Sequence, residues 1–310
     1  MNASIFSKQC YFDHIEIIMK YFELVIYIPT FIFGLILNLL ALWVFCRFWK
    51  KWPESSVYMI NLAFTDLLLL LSLPFKIYYS MQMGQWSLCS FMESLYFVNM
   101  YGSIFLIACI SLDRYIAIKH PLKAKILRSP RRACITCCCI WVIIWLGSIP
   151  IYNFKNTDNF RCFHNMSDQT WGMSVILPVE IFGFLIPLTV MVYCSVKIIQ
   201  TLLNHNHQGK RQADQVTIAQ TIAANLIVFI VCFTPAHLGI FLQFLVRQHI
   251  IVDCTMKQSI TLFVRMAMCL ANVSCCLDAF CYYFAAKEFR KKTNLRDLVK
   301  SFSVAQASSR

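Results

Sequence analysis

The sequence predicts an all-α membrane protein, a seven-transmembrane helix bundle followed by a short amphipathic cytoplasmic helix. Three observations lead there. The chain has 310 residues, of which 59% are hydrophobic and 14% charged, and its mean hydropathy is +0.61. Soluble domains run about half apolar and a quarter charged. The apolar residues fall into seven runs, each reaching the roughly 20 residues a helix needs to cross a bilayer. Finally, the loops between the runs alternate between rich and poor in Lys and Arg, as membrane topology requires. The net charge of +13 would suggest nucleic acid in a soluble protein. Here loop placement explains it, and no nucleic-acid partner is expected. Transmembrane strands would alternate over about ten residues, and no such pattern occurs.

In chain order, residues 1–23 form an N-terminal segment with no continuous apolar core. It carries Asp13, Glu16 and Glu23, so it does not read as a cleavable signal peptide, and the first span must serve as the insertion signal. The runs are 24–46, 57–81, 88–118, 133–152, 172–200, 215–246 and 258–284, which makes 24–284 one membrane domain. The loop after the first run carries Arg47, Lys50 and Lys51, and the loop after the fifth carries Lys210 and Arg211. Between the third and fourth lie Lys119, Lys123, Lys125, Arg128, Arg131 and Arg132. The opposite loops carry few cations: Lys155, Arg161, Arg247 and Lys257. The N-terminus is therefore expected outside and the C-terminus inside, in a multi-pass protein of the plasma membrane. Anionic lipid headgroups suffice as partners for the basic face. Residues 285–296 alternate basic and apolar side chains, the pattern of a helix lying on the inner leaflet, and 285–310 complete the cytoplasmic tail.

Most of the sixteen cysteines lie within spans. The cluster from Cys134 to Cys139 looks superficially like a metal site, but it has no His or carboxylate beside it and reads as small apolar packing. Cys10, Cys89, Cys162 and Cys254 lie on the outer side, where disulfides form, and their connectivity is open from sequence alone. Asn2 and Asn165 head glycosylation sequons on that same side.

Ionisable residues inside spans are functional candidates by default, because hydrocarbon makes them costly. Asp113-Arg114-Tyr115 closes the third run, and Asp66 lies well inside the second. Structurally, Arg114 pairs with Asp113 and caps the bundle; a neutral Asp66 could hydrogen-bond to Asn38. Pro150, Pro187 and Pro235 interrupt helical hydrogen bonding and give the bundle kinks.

These features resemble the rhodopsin-like G-protein-coupled receptors. The resemblance rests on Asp113-Arg114-Tyr115, Asn38, Asn61 with Asp66, Trp141, the three prolines, and Phe229 to Pro235. It covers nearly the whole chain apart from the tail. Phe233 stands where the family usually has Trp, Asp278-Ala279 replaces its Asn-Pro ahead of Tyr282, and Ser195 replaces a frequent Tyr. The resemblance implies a heterotrimeric G protein and arrestin as partners. It implies that Arg114 is held by Asp113 at rest and released when the sixth span moves outward, exposing a groove for a partner helix. Tyr115, Phe233, Pro235, Asp278 and Tyr282 belong to the same switch. It also implies a Cys89–Cys162 disulfide, which leaves Cys10 and Cys254 as the second pair. An allosteric sodium ion on Asp66 and Ser103 is the one cofactor it suggests.

Ligand information lies in the outer halves of the spans. Lys76, Glu93, Glu180, Arg247 and Arg265 surround one opening and suit a zwitterionic or anionic headgroup, unless Lys76 and Glu93 merely neutralise each other. Tyr96, Phe97, Met100, Phe182, His237, Phe241 and Phe244 are expected to form an apolar shaft beneath. Tyr96 stands where amine-binding members carry Asp, and no Lys for retinal occurs in 258–284. The stretches Leu71-Ser-Leu-Pro-Phe-Lys76 and Phe241-Leu-Gln-Phe-Leu-Val-Arg247 resemble lipid- and metabolite-sensing members. They imply a lysophospholipid ligand of the lysophosphatidylinositol type, with Rho activation and calcium release. The alternative is a small aromatic or acidic metabolite, whose receptor uses arginines where this chain has Met100 and Ile151. A membrane hydrolase would need a metal triad, and His237 is the one histidine within a span, so no enzyme is expected. A transporter should carry paired repeats with broken helices, and none are visible.

Overall fold

The computed structural model describes residues 10–48, 55–79, 86–149, 171–204, 210–279 and 281–283. Among them are seven helices long and apolar enough to cross a membrane. They are α1 (Asp13–Phe48), α2 (Ser55–Tyr79), α3 (Trp86–Lys119) and α5 (Pro130–Ser148), with a loop helix α4 (Pro121–Leu127) between the last two. Helix α6 runs as Met173–Glu180, a π turn Ile181–Leu185, and Ile186–Asn204. Helix α7 runs as Lys210–Val228, a π turn Phe229–Phe233, and Thr234–Arg247. Helix α8 (Cys254–Ala271) resumes after a turn and continues into 281–283. The amphipathic helix expected at 285–296, as well as Asn2, Pro150, Ile151, Cys162 and Asn165, lie outside the described residues.

The first helix begins at Asp13, well before the apolar run at 24. Asp13 and Glu16 sit in its first turn, where carboxylates complement the helix dipole. Ile15 and Met19 are buried, so the extension packs by one face although its average composition is polar. The 1–23 segment is therefore partly the opening of α1.

Both π turns have the same local cause. Each ends two residues before a proline, Pro187 in α6 and Pro235 in α7. Proline lacks an amide hydrogen and its ring crowds the carbonyl four residues back, so the helix widens by one residue. The wide bonds run from Ile186 N–H to the Ile181 carbonyl and from Thr234 N–H to the Phe229 carbonyl.

Helix α3 occupies the centre and packs on α2, α5, α6 and α7. Without water in the hydrocarbon, polar groups must find partners inside the bundle. The Asn38 amide donates to the Gly34 carbonyl at 3.0 Å and to the Cys275 carbonyl at 2.9 Å, joining α1 to α8. Leu70 and Cys275 pack close on Gly34 there: a Cβ would lie 2.8 Å from Leu70 Cδ2 and 3.2 Å from Cys275 Sγ, so both side chains would have to shift. The Trp141 indole donates to Asn61 Oδ1 at 2.8 Å, joining α5 to α2.

At the end of the bundle opposite Asp113, Cys10 is disulfide-bonded to Cys254 with 5.7 Å between Cα atoms. The bridge ties the chain ahead of α1 to the start of α8, and Gln258 Nε2 adds a hydrogen bond to the Tyr11 carbonyl at 2.7 Å. Asp253 caps α8; the Met256 amide donates to it and holds its carboxyl below the usual range. Cys89 is disulfide-bonded as well, while its expected partner Cys162 is outside the described residues. Cys10→Ala and Cys254→Ala should lower thermal stability by equal amounts, and the double variant should be no worse than either. A disulfide contributes typically about 2–4 kcal/mol. Additive losses in a melting experiment on purified receptor would contradict a bridge that works as one unit.

Candidate functional site

A cavity of ≈ 1020 Å³ opens at the disulfide end of the bundle, between α2, α3, α5, α6, α7 and α8. Helix rise places Lys76 about 15 Å beyond Asp66 toward this end. Lys76 lines the cavity with its ammonium 4.9 Å from the ring centroids of both Tyr27 and Tyr96. Two aromatic faces thus bracket one cation, an attraction that strengthens when water is excluded. Glu23, Glu93 and Arg265 act on its charge. Arg265 lies 3.9 Å from Glu23 Oε1 and also faces the cavity. The Tyr96 hydroxyl donates to the Met268 carbonyl at 3.1 Å, which fixes the ring under Lys76. Arg247 and Lys257 add cations at the rim, and Glu16 a carboxylate.

Much of the remaining wall is apolar, with Ser148, Gln243, His249 and Thr261 among its polar members, and part of it reaches the outer surface of the bundle. Ile143 and Phe182 line the cavity, yet are 58% and 64% exposed. A Cβ on Gly147 would meet nothing within 4 Å. Among the described residues, α5 packs chiefly on α2 and α3, and α6 chiefly on α3 and α7. The cavity wall therefore includes apolar residues of both α5 and α6 that also reach the outer surface of the bundle.

Below the wall, aromatic rings are in contact one after another. Tyr96 meets Phe97 edge-on at 5.7 Å, and Phe97 stacks on Tyr101 at 6.4 Å. Tyr101 meets His237 at 5.8 Å, and His237 stacks on Phe184 at 4.4 Å. Phe184 stacks on Phe229, which touches Phe233. The series starts beside Lys76 and ends in the π turn of α7. His237 Nδ1 lies 3.2 Å from Glu180 Oε1, which links α7 to α6 just ahead of the α6 π turn.

Deeper in the bundle, Asp66 is fully buried. It accepts from Asn99 at 3.1 Å and from the Tyr282 hydroxyl at 3.1 Å. The Asn99 amide also lies 3.5 Å from Ser103 Oγ. Asp66 therefore bonds not to Asn38, the expected neutral partner, but to Asn99 of α3 and Tyr282 of α8. At the far end Asp113 and Arg114 are both buried. Asp113 accepts two hydrogen bonds from Arg128, from Nε at 2.8 Å and from the terminal nitrogen at 2.9 Å. Among the described residues those are its hydrogen bonds, so the expected Asp113–Arg114 pairing is corrected: Arg128 approaches from the chain beyond α4 and occupies both carboxylate oxygens. Tyr115 packs edge-on against His120 at 5.7 Å and Tyr193 at 5.8 Å. Phe233 and Asp278 are fully buried, and Cys281 donates to Asn225 across α8 and α7.

The chain matches the 7 transmembrane receptor (rhodopsin family) over residues 37–282. It belongs to the rhodopsin family of seven-transmembrane receptors. As such it is a multi-pass membrane receptor and not an enzyme, coupled to G proteins and served by a small-molecule or lipid ligand. It is 51% identical to G-protein coupled receptor 55 of Homo sapiens, over 94% of this chain and 93% of that one. It is 36% identical to G-protein coupled receptor 35 of Homo sapiens, over 85% and 84%. It is 34% identical to Lysophosphatidic acid receptor 6 of Gallus gallus, over 83% and 87%.

Of the ligand residues expected for this receptor, Lys76, Glu93, Tyr96, Phe97, Arg247 and Arg265 do meet at the cavity, with Phe182 at its edge. Met100, Glu180, His237, Phe241 and Phe244 do not line it; Glu180 instead meets His237. Met100 is 2% exposed and packed in the core, while Phe241 is 46% exposed on the outer surface. The wall of α7 is instead Ile240, Gln243, Val246 and Arg247. Those positions lie on the face one residue before the aromatic one. Reading for aromatic type chose the wrong face, since side-chain type does not set helix phase. Glu23, Tyr101 and Thr261 were also missed; only helix packing brings them to the site.

Proposed function

We propose that the receptor senses a lysophospholipid of the lysophosphatidylinositol type and answers by activating G proteins that drive Rho and release calcium. One observation carries the reading: a single cavity joins the half-buried cations Lys76 and Arg265 to apolar side chains of α5 and α6. The phosphate of the headgroup takes Lys76 and Arg265, with Arg247 and Lys257 at the rim. The acyl chain follows the wall past Phe97 and Phe182. Likeness to G-protein coupled receptor 55 and to a lysophosphatidic acid receptor supports the same class. The aromatic series to Phe233 offers a physical link from cavity to switch. The glutamate–histidine contact adds a second link between α6 and α7.

In this reading the disulfide end faces outward, with Asn2 and Asn165 glycosylated and Cys89 joined to Cys162. The basic end faces the cytosol, where G protein and then arrestin bind. Asp66, Ser103 and Asp278 form an oxygen-rich set suited to a hard cation. Both carboxylate oxygens of Asp278 lack a hydrogen-bond partner, and it acts electrostatically on Asp66. A sodium ion would add charge neutralisation there, and Asp66 would hold it between α2, α3 and α8.

The test is a calcium and Rho reporter assay on expressing cells, challenged with lysophosphatidylinositol, lysophosphatidic acid and small aromatic acids. The expected result is a saturable response to lysophosphatidylinositol at the lowest concentration. A response to the aromatic acids with none to either lysolipid would overturn the ligand class and favour the metabolite alternative.

A further inference from the structure

The geometry around Asp113 points to a second counter-ion in the switch. We propose that Arg128 is a positioning residue that holds the Asp113 carboxylate and keeps it from capturing Arg114. The proposal rests on the reading of Arg114 as the signalling switch.

Both oxygens of Asp113 are engaged by Arg128, at 2.8 and 2.9 Å. Such a forked pair uses the planar guanidinium and the carboxylate together and is among the stronger hydrogen-bonded contacts. It is sheltered: side-chain exposure is 19% for Arg128 and 8% for Asp113. A small cavity of ≈ 140 Å³ beside it is walled by Tyr58, Cys109, Leu112 and Thr136.

Local backbone explains why Arg128 reaches α3. It terminates the loop helix α4 in extended conformation, with φ −91 and ψ 117, while its amide donates to the Ala124 carbonyl. Ser129 next to it caps α5 by accepting from the Arg132 amide. Two helix ends thus pin the two residues between them, and the extended step turns Arg128 back onto Asp113.

The consequence is competition for one buried carboxylate. Removing one member of a buried ion pair leaves the other charge costly to keep. Without Arg128, Asp113 needs another cation, and Arg114 is its neighbour in sequence. A carboxylate bound to Arg114 restrains the side chain that the G protein needs. The fork to Arg128 therefore lowers the barrier to release of Arg114 and sets the resting activity.

The experiment measures agonist-free guanine-nucleotide exchange by full-length receptor in nanodiscs with purified heterotrimers, at equal amounts of folded receptor. Arg128→Ala should lower exchange about tenfold, the scale of one charged hydrogen bond. Arg128→Lys should lie between, because an ammonium cannot make the fork. Adding Asp113→Asn to Arg128→Ala should restore exchange to the level of Asp113→Asn alone, since no carboxylate remains to capture Arg114. If Arg128 only anchors α4, the double variant stays as low as Arg128→Ala, and the proposal fails. It fails equally if Arg128→Ala exchanges like the wild type while Arg114→Ala is inactive. Full exchange by Arg114→Ala would instead remove the switch reading, and the proposal with it.

Discussion

Arg114→Ala should reduce agonist-driven nucleotide exchange to the receptor-free rate while cell-surface expression survives. Arg114 is 4% exposed at the end of α3, next to a carboxylate that another arginine already holds. Burial of a guanidinium at this boundary is costly; its loss should therefore not unfold a bundle held by helix packing. What the variant removes is a cation placed where a groove opens when α7 swings outward. Arg114→Lys should recover only part of the activity, because a point charge does not reproduce a planar fork. Surface labelling and exchange on the same preparation check the result. Wild-type exchange by Arg114→Ala would show that signalling does not pass through this residue.

Lys76→Ala should weaken the lysophosphatidylinositol response by about ten- to a hundredfold. A buried hydrogen bond to a charged group is worth roughly 1.5–3 kcal/mol, and 1.4 kcal/mol is one decade. The ammonium sits between the Tyr27 and Tyr96 rings, 4.9 Å from each centroid, and is thereby placed before the ligand arrives. Preorganisation of this kind spares the ligand the cost of ordering the side chain. Arg265→Ala should weaken the response less, because Glu23 lies 3.9 Å from Arg265 and already takes part of its charge. Met100→Ala should change no acyl-chain preference, since Met100 is core; its cost is stability, about 2–5 kcal/mol. Concentration–response curves normalised to surface expression check all three. An unchanged potency for Lys76→Ala would remove the headgroup assignment.

The spans, their order and the family motifs were legible because hydropathy and helix length are properties of consecutive residues. Prolines 187 and 235 announced distortions, and both became π turns for the same local reason. The charged residues of the mouth were legible too, since an ionisable side chain inside a span has few uses other than a site. Legibility ended where side chains from distant segments compete for one partner. Asp113 had Arg114 beside it in sequence and six further cations in the following loop. Which one bonds depends on where α4 stops and how the chain turns at Arg128. Asp66 likewise had Asn38 as its candidate hydrogen-bond partner, and packing chose Asn99 and Tyr282.

Sequence alone determined that this is a seven-span receptor of the rhodopsin family, with ionisable residues in the outer halves of its spans and an Asp-Arg-Tyr triplet closing the third. Periodicity, span length and loop charge are local quantities, and membrane insertion reads them directly. Only the tertiary structure decided which face of α7 lines the cavity, that Glu23 joins the charges around Lys76, and that Arg128 holds Asp113. Those outcomes follow from helix rotation, the extra residue of each π turn and the termination of a loop helix. A rotation of one residue exchanges a wall for an outer surface, and composition does not change when it happens.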